Sequence, residues 1–246
     1  MRAFRRLLAF LIPALILGFS VSTLYKWNYI QHIQHAPDEF NIPHSLNSVD
    51  YNNNKIDDSE DILVGAKNYM SKNPVYERLT EYPNGWPSAN KGSDGDVVAW
   101  AFKNAGYDLQ NLINLDIQKN PEAYGNNPQG ENIAFRVVDN QRIYLSRYCD
   151  SHSTDYNDIK DWQAGDIVFF EKNHVAIVAD KVNDHGVRFI IHHFWNYQAG
   201  YYQDVLETEA WGKITGHYRI TPRVAYPKTE NATKKNSIKT VINTDN

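Results

Sequence analysis

The 246 residues leave room for one domain of medium size with extensions. With 42% hydrophobic and 22% charged residues the composition is that of a globular protein, and a net charge of -4 gives no electrostatic case for a nucleic-acid partner. The one cysteine, Cys149, excludes an intramolecular disulfide, while 16 Tyr and 6 Trp supply rings suited to carbohydrate or peptide contact.

The chain opens on a basic stub, residues 1–6, with Arg2, Arg5 and Arg6. Residues 7–25 follow without a charge, about the ~20 residues that a membrane-spanning helix needs. Arginines stay on the cytoplasmic side, so the expectation is a single-pass anchor in the cytoplasmic (inner) membrane with the rest of the chain outside. A cleaved signal peptide is the rival. The apolar run exceeds the usual ~7–15 residues and Ser20-Val21-Ser22 is a poor cleavage site, which favours an uncleaved anchor. Residues 26–58 are polar and lack periodicity, as a tether would.

Ser59 is placed to cap a helix that runs to about Lys72 with Ile62, Ala66, Tyr69 and Met70 on one face. A turn-rich loop over residues 82–87 leads to Gly92-Ser93-Asp94-Gly95-Asp96. Ser93 and Asp96 have capping-box spacing, and Val97, Val98, Ala101, Phe102 and Ala105 form the apolar face of the next helix, which Gly106 ends. Asp108 begins a third helix on Leu109, Leu112, Ile113 and Ile117, closed by Pro121; a fourth covers about 140–148. Three apolar runs rich in Val, Ile and Phe then fall between Trp162 and His193, separated by Glu171-Lys172-Asn173 and Asn183-Asp184-His185-Gly186. They read as antiparallel strands joined by tight turns, with residues 214–220 as the last strand. Helices first and strands second predict an α+β domain over residues 59–222, followed by a disordered tail over 223–246.

Two histidines stand at strand ends, His174 opening one strand and His192 closing another. A strand end holds a side chain rigidly at the rim of a sheet, where chemistry is done; a partly exposed structural role is the alternative. Cys149, at the end of an amphipathic helix, reads as a structural thiol.

Several blocks in order, Tyr82-Pro83-Asn84-Gly85, Asp96-Val97-Val98, Asp108-Leu109-Gln110-Asn111-Leu112, Asn120-Pro121-Glu122-Ala123-Tyr124, Trp162-Gln163-Ala164-Gly165-Asp166-Ile167-Val168, His174-Val175-Ala176-Ile177-Val178, Ile191-His192 and Gly216-His217-Tyr218-Arg219, carry a family resemblance. The chain resembles the YijF-like bacterial domains of unknown function, within the papain-like NlpC-type hydrolases of cell walls. That resemblance implies a central helix packed on a small antiparallel sheet. It also implies a cysteine nucleophile at the start of the central helix, where the helix dipole and a histidine base favour the thiolate. Asp94 stands where that cysteine belongs, His174 matches the base and His192 the residue that orients it. Ala134 replaces a family aspartate, and Arg136 is retained.

Four readings follow. The domain binds peptidoglycan or a peptide without thiol catalysis, or Asp94, His174 and His192 hold a divalent metal for hydrolysis. Weaker alternatives make Ser93 the nucleophile, or Cys149. The binding reading ranks first, with Tyr82, Trp86, Asp96, Arg136 and His217 as candidate ligand contacts, no cofactor and a monomeric chain. Trp195 and Tyr197 are further aromatic candidates beside the cleft, His185 is expected in solvent, and His217 divides between lining the cleft and packing beneath it.

Overall fold

The computed structural model describes residues 2–26, 32–44, 49–127, 130–194, 204–208 and 210–225. The elements are helices α1 (Arg2–Lys26), α2 (Asp58–Met70), α3 (Asp94–Asn104), α4 (Leu109–Lys119), α5 (Pro121–Tyr124) and α6 (Val138–Tyr148), and strands β1 (Val75–Tyr76), β2 (Lys91–Gly92), β3 (Asp150–Ser151), β4 (Ile167–Phe170), β5 (His174–Val182), β6 (Arg188–Ile191) and β7 (Ile214–Arg219). The domain is a mixed α/β structure. Its main sheet is antiparallel in the order β3-β7-β4-β5-β6, and β1 and β2 form a short parallel pair apart from it.

Alternation along the strands sorts the core into two layers. Ile167, Phe169, Val175, Ile177, Ala179, Phe189 and Ile191 join the large core made with the helices. Val168, Phe170, Ala176, Val178 and Ile190 point the other way and pack with Trp162, Val187 and Leu206. Both faces of the sheet are therefore covered, and its strands read as continuous apolar runs. Helix α3 lies between α2 and β5, with Val97, Val98, Ala99, Ala101 and Phe102 fully buried. Gly95 lets the start of α3 press against the chain beside it: a Cβ there would meet the Arg136 carbonyl oxygen at 2.2 Å.

The helix boundaries differ from the sequence expectation in ways that have simple causes. Asp57, not Ser59, caps α2, and its carboxylate accepts the Ser59 N–H at 2.8 Å. Pro121 does not merely close α4; with its fixed φ and missing N–H it opens the one-turn helix α5. The expected tether is not free of the domain over its described parts. His35 pairs with Val182 through two backbone hydrogen bonds (2.9 and 3.2 Å), Ile42 is buried, and Tyr51 stacks on Tyr107 with centroids 4.4 Å apart. The tail expected from residue 223 begins with a turn of 3-10 helix over Pro222–Ala225, with Val224 buried; residues 226–246 lie outside the described residues.

Helix α1 is long and apolar enough to cross a membrane, with a mean hydropathy of 2.3 over Arg6–Tyr25 and no part of that window buried. Its hydroxyls are satisfied within the helix: Ser20 donates to the Ile16 carbonyl and Thr23 to that of Phe19, each at 2.8 Å.

Candidate functional site

The turn between β4 and β5, with Asn173 at a φ of 52°, delivers His174 to the rim of the sheet. His192 follows the last residue of β6, the strand beside β5. Asp94 stands in the first turn of α3, a helix that packs on β5. These placements bring Asp94, His174 and His192 together. Asp94 Oδ2 is 2.7 Å from His174 Nδ1 and also accepts the Val175 N–H at 3.2 Å. His174 Nε2 is 2.7 Å from His192 Nδ1.

A fourth member, Asp204, completes the chain: its Oδ2 is 2.9 Å from His192 Nε2. The interior of the chain is dry and its ends are not. The His192 side chain is 0% exposed, while Asp94 and Asp204 retain 14% and 13%. Trp211 stacks on the His174 ring (centroids 4.1 Å apart, 25° between planes) and meets His192 edge-on, with Phe194 against both His192 and Trp211. Burial pushes His192 below the usual histidine range, against the hydrogen bond that its ring donates to Asp204, which pulls it up.

The expected metal arrangement is not present. Asp94 and His192 meet His174 through opposite ring nitrogens, so the three side chains run in a line and do not converge on a point. Among the described residues no group of three or more His, Cys, Asp and Glu side chains is placed to hold a metal ion.

The remaining candidates go to other places. Asp96 and Arg136 are sealed in the core and pair with each other, through Arg136 Nε and, at 3.1 Å, its Nη2. Arg136 also donates to the Thr80 carbonyl and sets its guanidinium 5.0 Å from the Tyr82 ring. This pair braces the start of α3 from behind and neither side chain reaches solvent. Ser93 stands at the N-cap of α3 and forms with Asp96 the capping box that their spacing predicts: its backbone N–H donates to Asp96 Oδ2 at 2.7 Å, and its hydroxyl donates to the same oxygen at 3.1 Å. That occupation also leaves no basis for Ser93 as a nucleophile. Trp86 packs on Trp100 and Phe135 and donates its indole N–H to Gln110 at 2.9 Å, about two turns along α3 from Asp94. His217 is beneath the sheet rim, held by Asp166 at 2.8 Å and the Ser153 carbonyl at 2.7 Å and stacked on Trp162 at 3.6 Å. The reading of Asp96, Arg136 and His217 as direct ligand contacts thus meets complete burial; all three hold up the structure around the Asp94–His174–His192 site. Cys149 is buried at the end of α6, and desolvation raises its thiol far above the reactive range. His185 is exposed, and Trp195 and Tyr197 lie outside the described residues.

His193, a further histidine to which the sequence assigned no role, stands beside the site. It is buried against Tyr69 and Tyr76, and desolvation lowers its pKa to about 4 in spite of the charges of Asp96 and Asp94. Tyr76 is raised by burial and then by the charge of Asp94, which places its phenol near that carboxylate.

Comparison with known proteins adds one finding. Residues 59–220 match a family described as a domain of unknown function, DUF1287. No curated protein and no solved structure matches the chain.

Proposed function

The chain belongs to that family, and from its site we propose that it is an envelope protein whose domain binds peptidoglycan or a peptide without thiol catalysis. The observation that carries this reading is the occupation of His174. Both of its ring nitrogens are engaged, one by Asp94 and one by His192. A base serving a nucleophile needs a thiol or hydroxyl at Nδ1; here a carboxylate takes that place, and a carboxylate is a weak nucleophile toward amides. The aromatic and hydrogen-bonding groups around it, Trp211, Phe194 and Tyr76, suit recognition. In this reading α1 crosses the cytoplasmic membrane once, with Arg2, Arg5 and Arg6 inside and the domain outside.

The test of binding is retention of the full chain, in lipid nanodiscs, by isolated peptidoglycan sacculi, with Asp94→Ala as the control. Retention that Asp94→Ala lowers at least severalfold is the expected result; no retention, or release of cleaved peptide by the unaltered chain, overturns the reading. Restoring the thiol tests the likeness of the site to a thiol hydrolase. Asp94→Cys is expected to react with iodoacetamide faster than Cys149 at neutral pH, because the start of α3 and His174 both favour a thiolate. Sluggish alkylation in the folded variant means that His174 is not placed as its base. For topology, protease added to intact spheroplasts should digest the domain, and full protection counts against it.

A further inference from the structure

Asp204 turns the site into a chain that can be counted in protons. Three contacts link its members: Asp94 to His174 at 2.7 Å, His174 to His192 at 2.7 Å, and His192 to Asp204 at 2.9 Å. Each is of hydrogen-bond length and each needs one proton. Two neutral imidazoles carry one N–H apiece, and two ionised carboxylates carry none. Two protons cannot serve three contacts. With only two, a nitrogen lone pair would face another lone pair across one contact, in surroundings too dry for water to relieve it.

We propose that Asp204 is a positioning residue that loads the histidine pair with one additional proton, so that the chain holds three protons and Asp94 meets an imidazolium. The added proton belongs on a ring and not on a carboxylate. Asp94 and Asp204 both touch solvent, and Asp94 also accepts the Val175 N–H at the positive end of α3. Of the two rings, His174 is the one placed to carry the charge. It touches Asp94 and lies flat on the face of Trp211, an arrangement that favours a cation. His192 is more deeply buried and burial disfavours its charged form. Among the described residues, the groups packed on the pair bring no competing charge. His193 is neutral near pH 7, Phe170, Phe194 and Tyr76 carry no charge there, and Lys172, in the turn before His174, donates its ammonium to the Ala210 carbonyl. The four-membered chain then has a net charge of minus one, with a fixed cation behind a carboxylate that touches solvent. This count concerns the site's own protons and stands or falls separately from the identity of the ligand.

The count names a variant that removes the proton without removing a contact. In Asp204→Asn the amide N–H can donate to His192 Nε2; His192 then donates to His174, and His174 to Asp94, with both rings neutral. The measurement is the nitrogen NMR spectrum of histidine-labelled full chain in nanodiscs near pH 7. The unaltered chain should show one imidazolium in the pair, and Asp204→Asn should show two neutral rings. Two neutral rings in the unaltered chain, or an imidazolium that survives Asp204→Asn, overturns the proposal. A reactivity readout covers the same point. At pH 7 the thiol of Asp94→Cys should alkylate about tenfold faster than that of the Asp94→Cys, Asp204→Asn pair, whose pH profile should move upward. Coincident rates and profiles would remove Asp204 from the proton balance and leave it a packing residue.

Discussion

Asp94 and Asp96 stand in the same first turn of α3 and have opposite fates. Asp94 keeps 14% of its side chain in solvent and pairs with a histidine; Asp96 keeps none and pairs with Arg136, a group that stays charged. Helical geometry sends their side chains about 200° apart. One meets the rim of the sheet; the other meets the chain at Ala134–Arg136, which closes over the helix from the far side. Identical chemistry thus gives a sealed support in one case and a partly exposed partner of a histidine in the other. The partner and its ability to titrate make the difference.

The contrast can be broken from either side. The largest effect is expected for Asp96→Ala, which strands a buried guanidinium: a loss of about 3–5 kcal/mol in a denaturant melt. A loss below about 1 kcal/mol would mean that Arg136 finds another partner and Asp96 is no support. Gly95→Ala should cost about 1–3 kcal/mol, because the new methyl meets the Arg136 carbonyl and α3 must back away from it; a neutral result would show that the closing segment yields. Next comes acid. His193 is neutral in the fold, with its pKa lowered to about 4, and titrates near 6.5 when unfolded. The unfolded chain binds the proton first, so His193's contribution to stability is whole above about pH 6.5 and is lost as the pH falls toward 4. His193→Phe should flatten that part of the stability profile, and an unchanged slope would move the acid response to other groups. Ser93→Ala removes one hydroxyl donor from Asp96 and leaves the backbone donor in place, so about 0.5–1.5 kcal/mol is expected. The smallest change belongs to Asp94→Asn. The amide oxygen can still accept from His174 and only the charge is lost, so stability should fall by no more than about 1 kcal/mol while retention on sacculi falls; a collapse of the fold would erase the distinction between the two aspartates.

Much of the scaffold was legible from the sequence, because it rests on local signals. The period of Val97, Val98, Ala101 and Phe102 marks α3, and Asn173 and Gly186 mark the turns that separate β4, β5 and β6. His174 and His192 could be singled out because each stands at a strand end, and Asp94 because the family resemblance set it where a nucleophile belongs. Asp204 could not. It lies in no regular element, and what recruits it is a fold that places it opposite His192. The burial of Asp96, Arg136 and His217 was hidden for a related reason: a polar residue looks the same in sequence whether a distant segment covers it or not. Asp96 is covered by residues 40 positions away, and His217 by Ser153 and Trp162. The docking of His35 on Val182 is likewise a long-range pairing with no local signature.

That docking sets a leash. The domain holds the chain by backbone pairing at His35, so the eight residues 27–34 separate that pairing from the end of α1 at Lys26, a reach of about 30 Å when fully drawn out. If α1 sits in a bilayer, the Asp94–His174–His192 site is confined to a layer close to the lipid surface. Under the proposed binding role, a ligand fixed farther out would pass untouched, whereas one threaded close to the membrane would meet the site at high local concentration. Lengthening the chain between Lys26 and His35 with a flexible insert would widen that layer, and the depth at which the domain finds its partner would become adjustable.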